Sequence, residues 1–134
     1  MKEKKTLLAI FSACGFALLV KLFFLDMIIV EGPSMEPSFH SGSIVLLLRS
    51  AYGLRFPLGR NYIIHWAKPA ENDIIVFITP DGVDAIKRVV NVDDYNGKFF
   101  AEGDNAKDSY DSRFYGSLQI DNILGKVIWP INRD

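Results

Sequence analysis

Ser34 lies in "VEGPSMEPSF", with Pro33 immediately before it and Pro37 three residues on. Proline fixes its own φ and pushes the residue before it towards extended geometry, so the backbone is stiff on both sides of one small hydroxyl. Gly32 adds a point where another backbone can approach closely. Two readings fit. Ser34 is a local hydrogen-bonder in a β-turn, or it is an immobilised nucleophile. The second requires a partner that takes its proton.

Histidine is a poor candidate. His40 follows Ser34 by six residues, but no acid stands out to orient it, so a Ser-His-Asp arrangement has little support. A lysine amine does the same work when neutral, which demands an apolar setting that lowers its pKa by several units from about 10.4. Lys87 meets that demand best, in "AIKRVV" on an expected strand. There Ala85, Lys87 and Val89 share one face, and Ile86 and Val90 the other. Lys68, Lys98, Lys107 and Lys126 have more polar or turn-like neighbours. The bland alternative for Lys87 is an exposed lysine at a sheet edge. His40 and His65 are isolated from any ligand spacing, which argues against a metal enzyme, and no cofactor is expected.

The elements that must hold these residues begin with "TLLAIFSACGFALLVKLFFL", Thr6 to Leu25. Twenty helical residues span roughly 30 Å, the thickness of a hydrocarbon core. Lys21 is the only charge and lies about one turn from the far end, within snorkelling reach of headgroups. A cleaved secretory signal is the rival, but "KLFFLDMIIV" offers bulky residues where small ones belong at a cleavage site. An uncleaved anchor is expected. Residues 1–30 carry four lysines against Glu3 and Asp26, whereas the remainder has eleven basic and fourteen acidic residues. Lys2, Lys4 and Lys5 therefore keep the N-terminus cytoplasmic, which makes residues 1–26 tip and anchor and sends 27–134 outside. Cys14, the single cysteine, falls in the anchor, so the exported part has neither an internal disulfide nor a thiol metal site. A net charge of −1 gives no sign of nucleic-acid binding.

After the anchor, β-branched and aromatic runs alternate with turn signals, as in a small antiparallel β domain. Expected strands are 27–31, 43–48, 73–78, 84–92, 98–102 and 125–129, and Asn96-Gly97 in "YNGK" signals a tight hairpin. No convincing amphipathic helix appears after residue 26. Residues 50–62 break the strand pattern with Tyr52, Leu54, Phe56 and Leu58, which are either core or an apolar surface touching lipid. The polar "GDNAKDSYDSR" reads as a loop.

"GPSMEPS", "ENDIIVF", "IKRVV" and "GDNAKDSYDSR", in that order after one N-terminal anchor, resemble type I signal peptidase over roughly residues 28–128. The resemblance implies a mainly β protein: one N-terminal transmembrane helix and an extracytoplasmic catalytic β domain at the plasma membrane. It implies a monomeric serine endopeptidase that removes signal peptides from exported preproteins with a Ser-Lys dyad, in contact with membrane lipid and without nucleic acid. Ser34 would be the nucleophile, Lys87 the general base, and Ser109 the hydroxyl that orients the amine. Asp111 and Arg113 would form an ion pair beneath the site, reached through the turn Gly103-Asp104-Asn105. Val30, Met35, Phe39 and Ile86 would line the pocket for the small side chains at −1 and −3 of the substrate. Burial with no acidic partner nearby is the expected means of keeping Lys87 neutral.

The chain departs from the family pattern in places. Gly32 stands where some members place a hydroxyl for the oxyanion, leaving that role to the Ser34 N–H. "NVDDY" replaces the usual Gly-Leu-Pro-Gly-Asp, Ala106 replaces an arginine, and only fifteen residues separate Lys87 from "GDN". Two other functions remain open. One is a LexA-like self-cleaving Ser-Lys protein, against which the anchor argues. The other is a catalytically silent anchored relative in surface-fibre assembly, against which the intact Ser34 and Lys87 argue.

Overall fold

In the computed structural model, which describes residues 1–59 and 61–130, the apolar run is helix α1, Lys2–Phe23. Its 22 residues rise about 33 Å, enough to cross a hydrocarbon core. None of its side chains is buried, and an apolar helix without protein cover is suited to lipid. The helix stops before the expected Leu25. The Phe24 N–H bonds the Val20 carbonyl at 2.9 Å, and the chain then turns directly into a strand.

That strand is β1 (Leu25–Ile29), followed by β2 (Ile44–Leu48), β3 (Gly53–Arg55), β4 (Tyr62–His65), β5 (Ile74–Ile78) and β6 (Asp84–Asp93). Then come β7 (Lys98–Glu102), a short helix α2 (Ser112–Tyr115), β8 (Leu118–Gln119) and β9 (Ile123–Pro130). Seven strands form one antiparallel sheet in the order β1-β2-β9-β5-β6-β7-β8. The six expected strands are all present, with ends shifted by up to two residues. β1 stops short of Val30, although Val30 still exchanges bonds with the next segment, donating to Ser43 O and accepting from Gly42 N–H, both at 2.8 Å. Asp93 pairs with Lys98 across the Asn-Gly turn, where Gly97 takes a φ of 62° that its lack of Cβ allows.

Side-chain alternation gives the sheet two covered faces. Ile75 and Phe77 of β5 join Val89, Phe99 and Ile123 in one cluster, with Phe77 and Phe99 edge to face at 5.1 Å. On the other face Val30, Met35, Phe39 and Val45 form a smaller cluster, backed by Ile28, Ile74 and Ile86. Each fully buried side chain of this kind contributes about 1.5–3 kcal/mol of transfer free energy.

Residues 50–62 divide between the two readings of that stretch, and Arg60 lies outside the described residues. Tyr52 is buried, and its hydroxyl donates to Asp73 at 2.8 Å. Phe56 and Leu58 are exposed. Residues 53–55 and 62–65 form a hairpin that the broken pattern did not announce. Gly53 permits it, because a Cβ there would overlap the Ile64 carbonyl of the partner strand. The hairpin is pinned to β9 through its inner face. Arg55 Nη1 donates to Asp121 O and Ile123 O at 3.0 and 2.8 Å, and Tyr62 OH donates to Ile123 O at 2.8 Å.

Candidate active site

The loop that carries Ser34 is a tight turn. Glu36 N–H donates to Pro33 O at 3.1 Å and Phe39 N–H to Met35 O at 2.9 Å, which folds Met35 and Phe39 inwards and leaves Ser34 at the edge of a groove. Gly32 enters this turn at φ 78°, left-handed backbone that glycine adopts without strain. Its N–H donates to Ser41 Oγ at 3.2 Å. The Ser34 N–H has no hydrogen-bond acceptor among the described residues.

Lys87 comes from the middle of β6, a strand four places from β1 in the sheet order. Because β1 and β6 border the same groove, the sheet must curl, and that curl brings Lys87 to the serine. Lys87 Nζ lies 2.6 Å from Ser34 Oγ, and the lysine is only 5% exposed. Burial pushes its pKa down from the ordinary lysine value, Asp111 opposes that shift, and Arg113 reinforces it. The expectation of no acidic partner is therefore corrected: Asp111 is close enough to act on the amine, and Arg113 offsets it.

Asp111 is fully buried. It accepts from Arg113 Nη2 at 2.6 Å, Arg113 Nε at 2.9 Å, the Gly103 N–H at 2.8 Å and Ser109 Oγ at 2.5 Å. Burial alone would raise its pKa, but the bonds from Arg113, Ser109 and the two backbone N–H groups win and hold it well below the carboxylate range. Ser109 thus spends its proton on Asp111. No hydrogen bond between Ser109 and Lys87 occurs among the described residues; the Ser109 hydroxyl meets the Asp111 carboxylate instead.

The Gly103-Asp104-Asn105 turn clamps the loop that carries Ser34. Asn105 N–H donates to Ser34 O at 2.9 Å, and its side-chain amide to Pro33 O at 3.2 Å. Asp104 receives Ser38 Oγ at 2.5 Å and a two-pronged contact from Arg88, at 2.9 and 2.8 Å. The Arg88 bonds hold the Asp104 carboxyl below its usual range. Gly103 is required by close approach, since a Cβ there would collide with Ser109 Oγ and sit against Ser34 O. The contributions of Arg88 and Ser38 were not legible in the sequence. Arg88 follows Lys87 and so points to the opposite side of β6, and that alternation is the one signal that could have found it.

The groove holds about 700 Å³ and is bordered by Ile28–Glu31, Ser34, Val76 and Gly82–Lys87. Val30 and Ile86 are among the residues that line it. Met35 and Phe39 are not; the turn buries both in the cluster behind the groove wall. Ile28, Val76 and Ala85 border the groove as well, all three from expected strands.

An antiparallel β protein with an N-terminal membrane-length helix, and a serine held against a buried lysine at the head of an apolar groove, defines a narrow class. The sequence pattern of the family described as signal peptidase, peptidase S26, matches residues 3–93 and 95–132, and the chain belongs to that family. Signal peptidase I of Pseudomonas aeruginosa is 26% identical over 120 residues, covering 87% of this chain and 39% of its own length. Mitochondrial inner membrane protease subunit 1 of Mus musculus is 30% identical over 124 residues, covering 78% of this chain and 70% of its own. A mitochondrial ATP-independent inner membrane protease subunit 1b of Arabidopsis thaliana is 29% identical over 123 residues, or 75% and 66% of the two chains. The chain thus spans well under half the length of the bacterial relative.

Proposed function

We propose that the chain is a membrane-anchored serine endopeptidase that removes N-terminal signal peptides from exported preproteins. The observation that carries this reading is the 2.6 Å separation of Lys87 Nζ and Ser34 Oγ, with the lysine buried and its pKa lowered. A neutral amine accepts the Ser34 proton as Oγ attacks the scissile carbonyl. The tetrahedral oxyanion accepts from the unpartnered Ser34 N–H, while Gly32 leaves room for it. The ammonium then returns its proton to the departing amine, which leaves an acyl-serine. Water, deprotonated by the same amine, releases the signal peptide and regenerates the serine.

The other residues support these two. Asp111 and Arg113 balance the charge behind the amine, Ser109 fixes Asp111, and Gly103, Asp104 and Asn105 fix the backbone of Ser34. Val30 and Ile86, with Ile28 and Val76, supply an apolar groove that favours small side chains at −1 and −3. Residues 1–26 anchor the chain with the N-terminus cytoplasmic, and 27–134 form the extracytoplasmic catalytic domain. Lipid contact extends beyond α1 to the β3–β4 hairpin. Phe56, Leu58, Ile63, Ile64 and Trp66 are exposed there, and the hairpin base is joined to the helix end through Trp66 Nε1 to Ser50 O at 3.0 Å and Arg49 N–H to Phe24 O at 2.7 Å.

The deciding experiment incubates detergent-solubilised protein with a preprotein, beside Ser34→Ala and Lys87→Ala. Cleavage by the parent alone supports the reading. Cleavage by all three, or by none, rejects it.

A further inference from the structure

The turn between β6 and β7 holds a reactive pair of residues. Asn96 is the only asparagine of the chain followed by glycine, and the two lie in the connection between Asp93 and Lys98. Asn96 is exposed. The Gly97 N–H has no hydrogen-bond acceptor among the described residues. With no Cβ on Gly97, its nitrogen is open to approach from the preceding side chain. The Asn96 side-chain amide is tied elsewhere. Its nitrogen donates to Asp93 Oδ2 at 2.7 Å, and the Asn96 backbone N–H donates to Asp93 Oδ1 at 3.1 Å. The turn is fastened as well, because Gly97 O accepts from the Ile120 N–H at 2.9 Å.

We infer that Asn96 is a site of spontaneous deamidation, attacked by the Gly97 nitrogen and restrained by Asp93. The Gly97 N–H gives its proton to hydroxide, and its nitrogen adds to Asn96 Cγ. The bond from Cγ to Nδ2 then breaks. The leaving nitrogen takes a proton from water and departs as ammonia, and a succinimide ring remains. Water opens that ring at either carbonyl, which leaves aspartate, or isoaspartate with the main chain rerouted through the side chain. Ring closure needs Cγ within bonding distance of the Gly97 nitrogen, so the amide must leave Asp93 and the turn must open locally. The two bonds at Asp93 therefore hold the rate down. The product sets a carboxylate against Asp93 where an amide donor stood. The isoaspartyl form also lengthens the turn that Gly97 O fastens to Ile120.

The test ages the full chain in detergent at neutral and mildly alkaline pH, for many half-lives of a synthetic peptide of residues 89–98 kept beside it. Trypsin releases the same peptide from the protein, since Arg88 and Lys98 flank its cleavage points. Mass spectrometry reads the change from amide to acid at each asparagine, and an isoaspartyl methyltransferase marks the rearranged main chain. Asn96 should convert in both samples, faster at higher pH and more slowly in the folded chain. Asn91, followed by the β-branched Val92, should keep its amide and serves as the internal control. Asp93→Ser should speed the loss of Asn96 in the folded chain by up to about tenfold, and leave the rate in the peptide unchanged. Asp93→Asn, which keeps one acceptor, should fall between, melting temperatures showing that each variant is folded. An Asn96 amide that stays intact in the aged parent overturns the site. Equal rates in parent and Asp93→Ser, or the same acceleration in the variant peptide, overturn the restraint by Asp93.

Discussion

The Asn105 N–H donates to the carbonyl oxygen of Ser34 at 2.9 Å, so the turn after β7 holds the backbone of the Ser34 loop directly. The Asn105 side chain bonds Pro33 O at 3.2 Å, which fixes the residue before the serine as well. Stiffness from prolines is local, whereas this clamp sets where the stiff loop sits relative to Lys87. Positioning of that kind is worth a large part of a catalytic barrier when the geometry is held within fractions of an ångström.

Ser34→Ala and Lys87→Ala should each abolish preprotein cleavage while leaving melting temperature within a few degrees of the parent. Lys87→Arg should fail too, because a guanidinium stays protonated and cannot take the serine proton. Near-normal turnover by Lys87→Ala would remove lysine from the mechanism.

The rate should depend on pH through Lys87. Burial lowers the folded-state pKa below the ordinary 10.5, so the neutral, competent amine accumulates as pH rises through that lowered value. The same shift means that the folded chain binds fewer protons than the unfolded chain between the lowered pKa and 10.5, so this group's contribution to stability rises with pH across that window. A kcat profile that is flat from pH 6 to 10, with folding intact, would contradict the assignment.

Asp111→Asn removes a fully buried charge from Arg113, Ser109 and Gly103 at once. Asp111 is buried but Arg113 is exposed to solvent, so the loss is about 1–3 kcal/mol, the cost of unmade bonds to a buried group, and a fall in melting temperature is expected. The depressed carboxyl pKa carries its own sign: the stability it provides is present above the unfolded value of 3.8 and is lost as pH falls towards the lower folded value. Acid titration of parent and variant by circular dichroism checks both points. Ser109→Ala should cost less, about 1–2 kcal/mol, because one bond to Asp111 is lost. If Ser109 acts through Asp111, the variant's kcat–pH profile should also shift, which a purely structural role would not produce.

Gly103→Ala places a methyl group against Ser109 Oγ and Ser34 O, and the neighbours are a buried side chain and backbone that cannot swing away. Overpacking of this kind costs about 1–3 kcal/mol, and the displacement falls on Ser34 itself. Turnover per folded molecule should drop by more than tenfold with a smaller change in KM. Full activity with a lowered melting temperature would show that the contact matters only for folding.

The hairpin prediction is read by fluorescence. The chain has two tryptophans, so a Trp129→Phe variant leaves Trp66 as the sole reporter. Reconstituted into bilayers with brominated acyl chains, Trp66 should be quenched, and replacing Phe56 and Leu58 with serine should weaken the quenching. No quenching in the parent would leave α1 as the one lipid-facing element tested.

Several features were legible in the sequence because their causes are local. A twenty-residue, mostly apolar run satisfies its backbone in lipid only as a helix, so composition sufficed to find α1, and its two ends moved by a few residues. Runs of β-branched and aromatic residues between turn signals located the six strands, and prolines around Ser34 together with apolar neighbours of Lys87 singled out both residues. The hairpin of β3 and β4 was hidden because its strands are three and four residues long, and one of them depends on a glycine whose reason is a cross-strand approach.

What pairs with what was decided only by the tertiary structure. The curl of the sheet carries β6 to the loop after β1 and so chooses Lys87 for Ser34, a contact that no local spacing encodes. The same packing turns Met35 and Phe39 into the core, gives the Ser109 proton to Asp111, and sets Asp111 and Arg113 together behind the amine. Alternation along a strand says which side a residue faces. The partner it meets there depends on register and curvature, which are properties of the whole sheet.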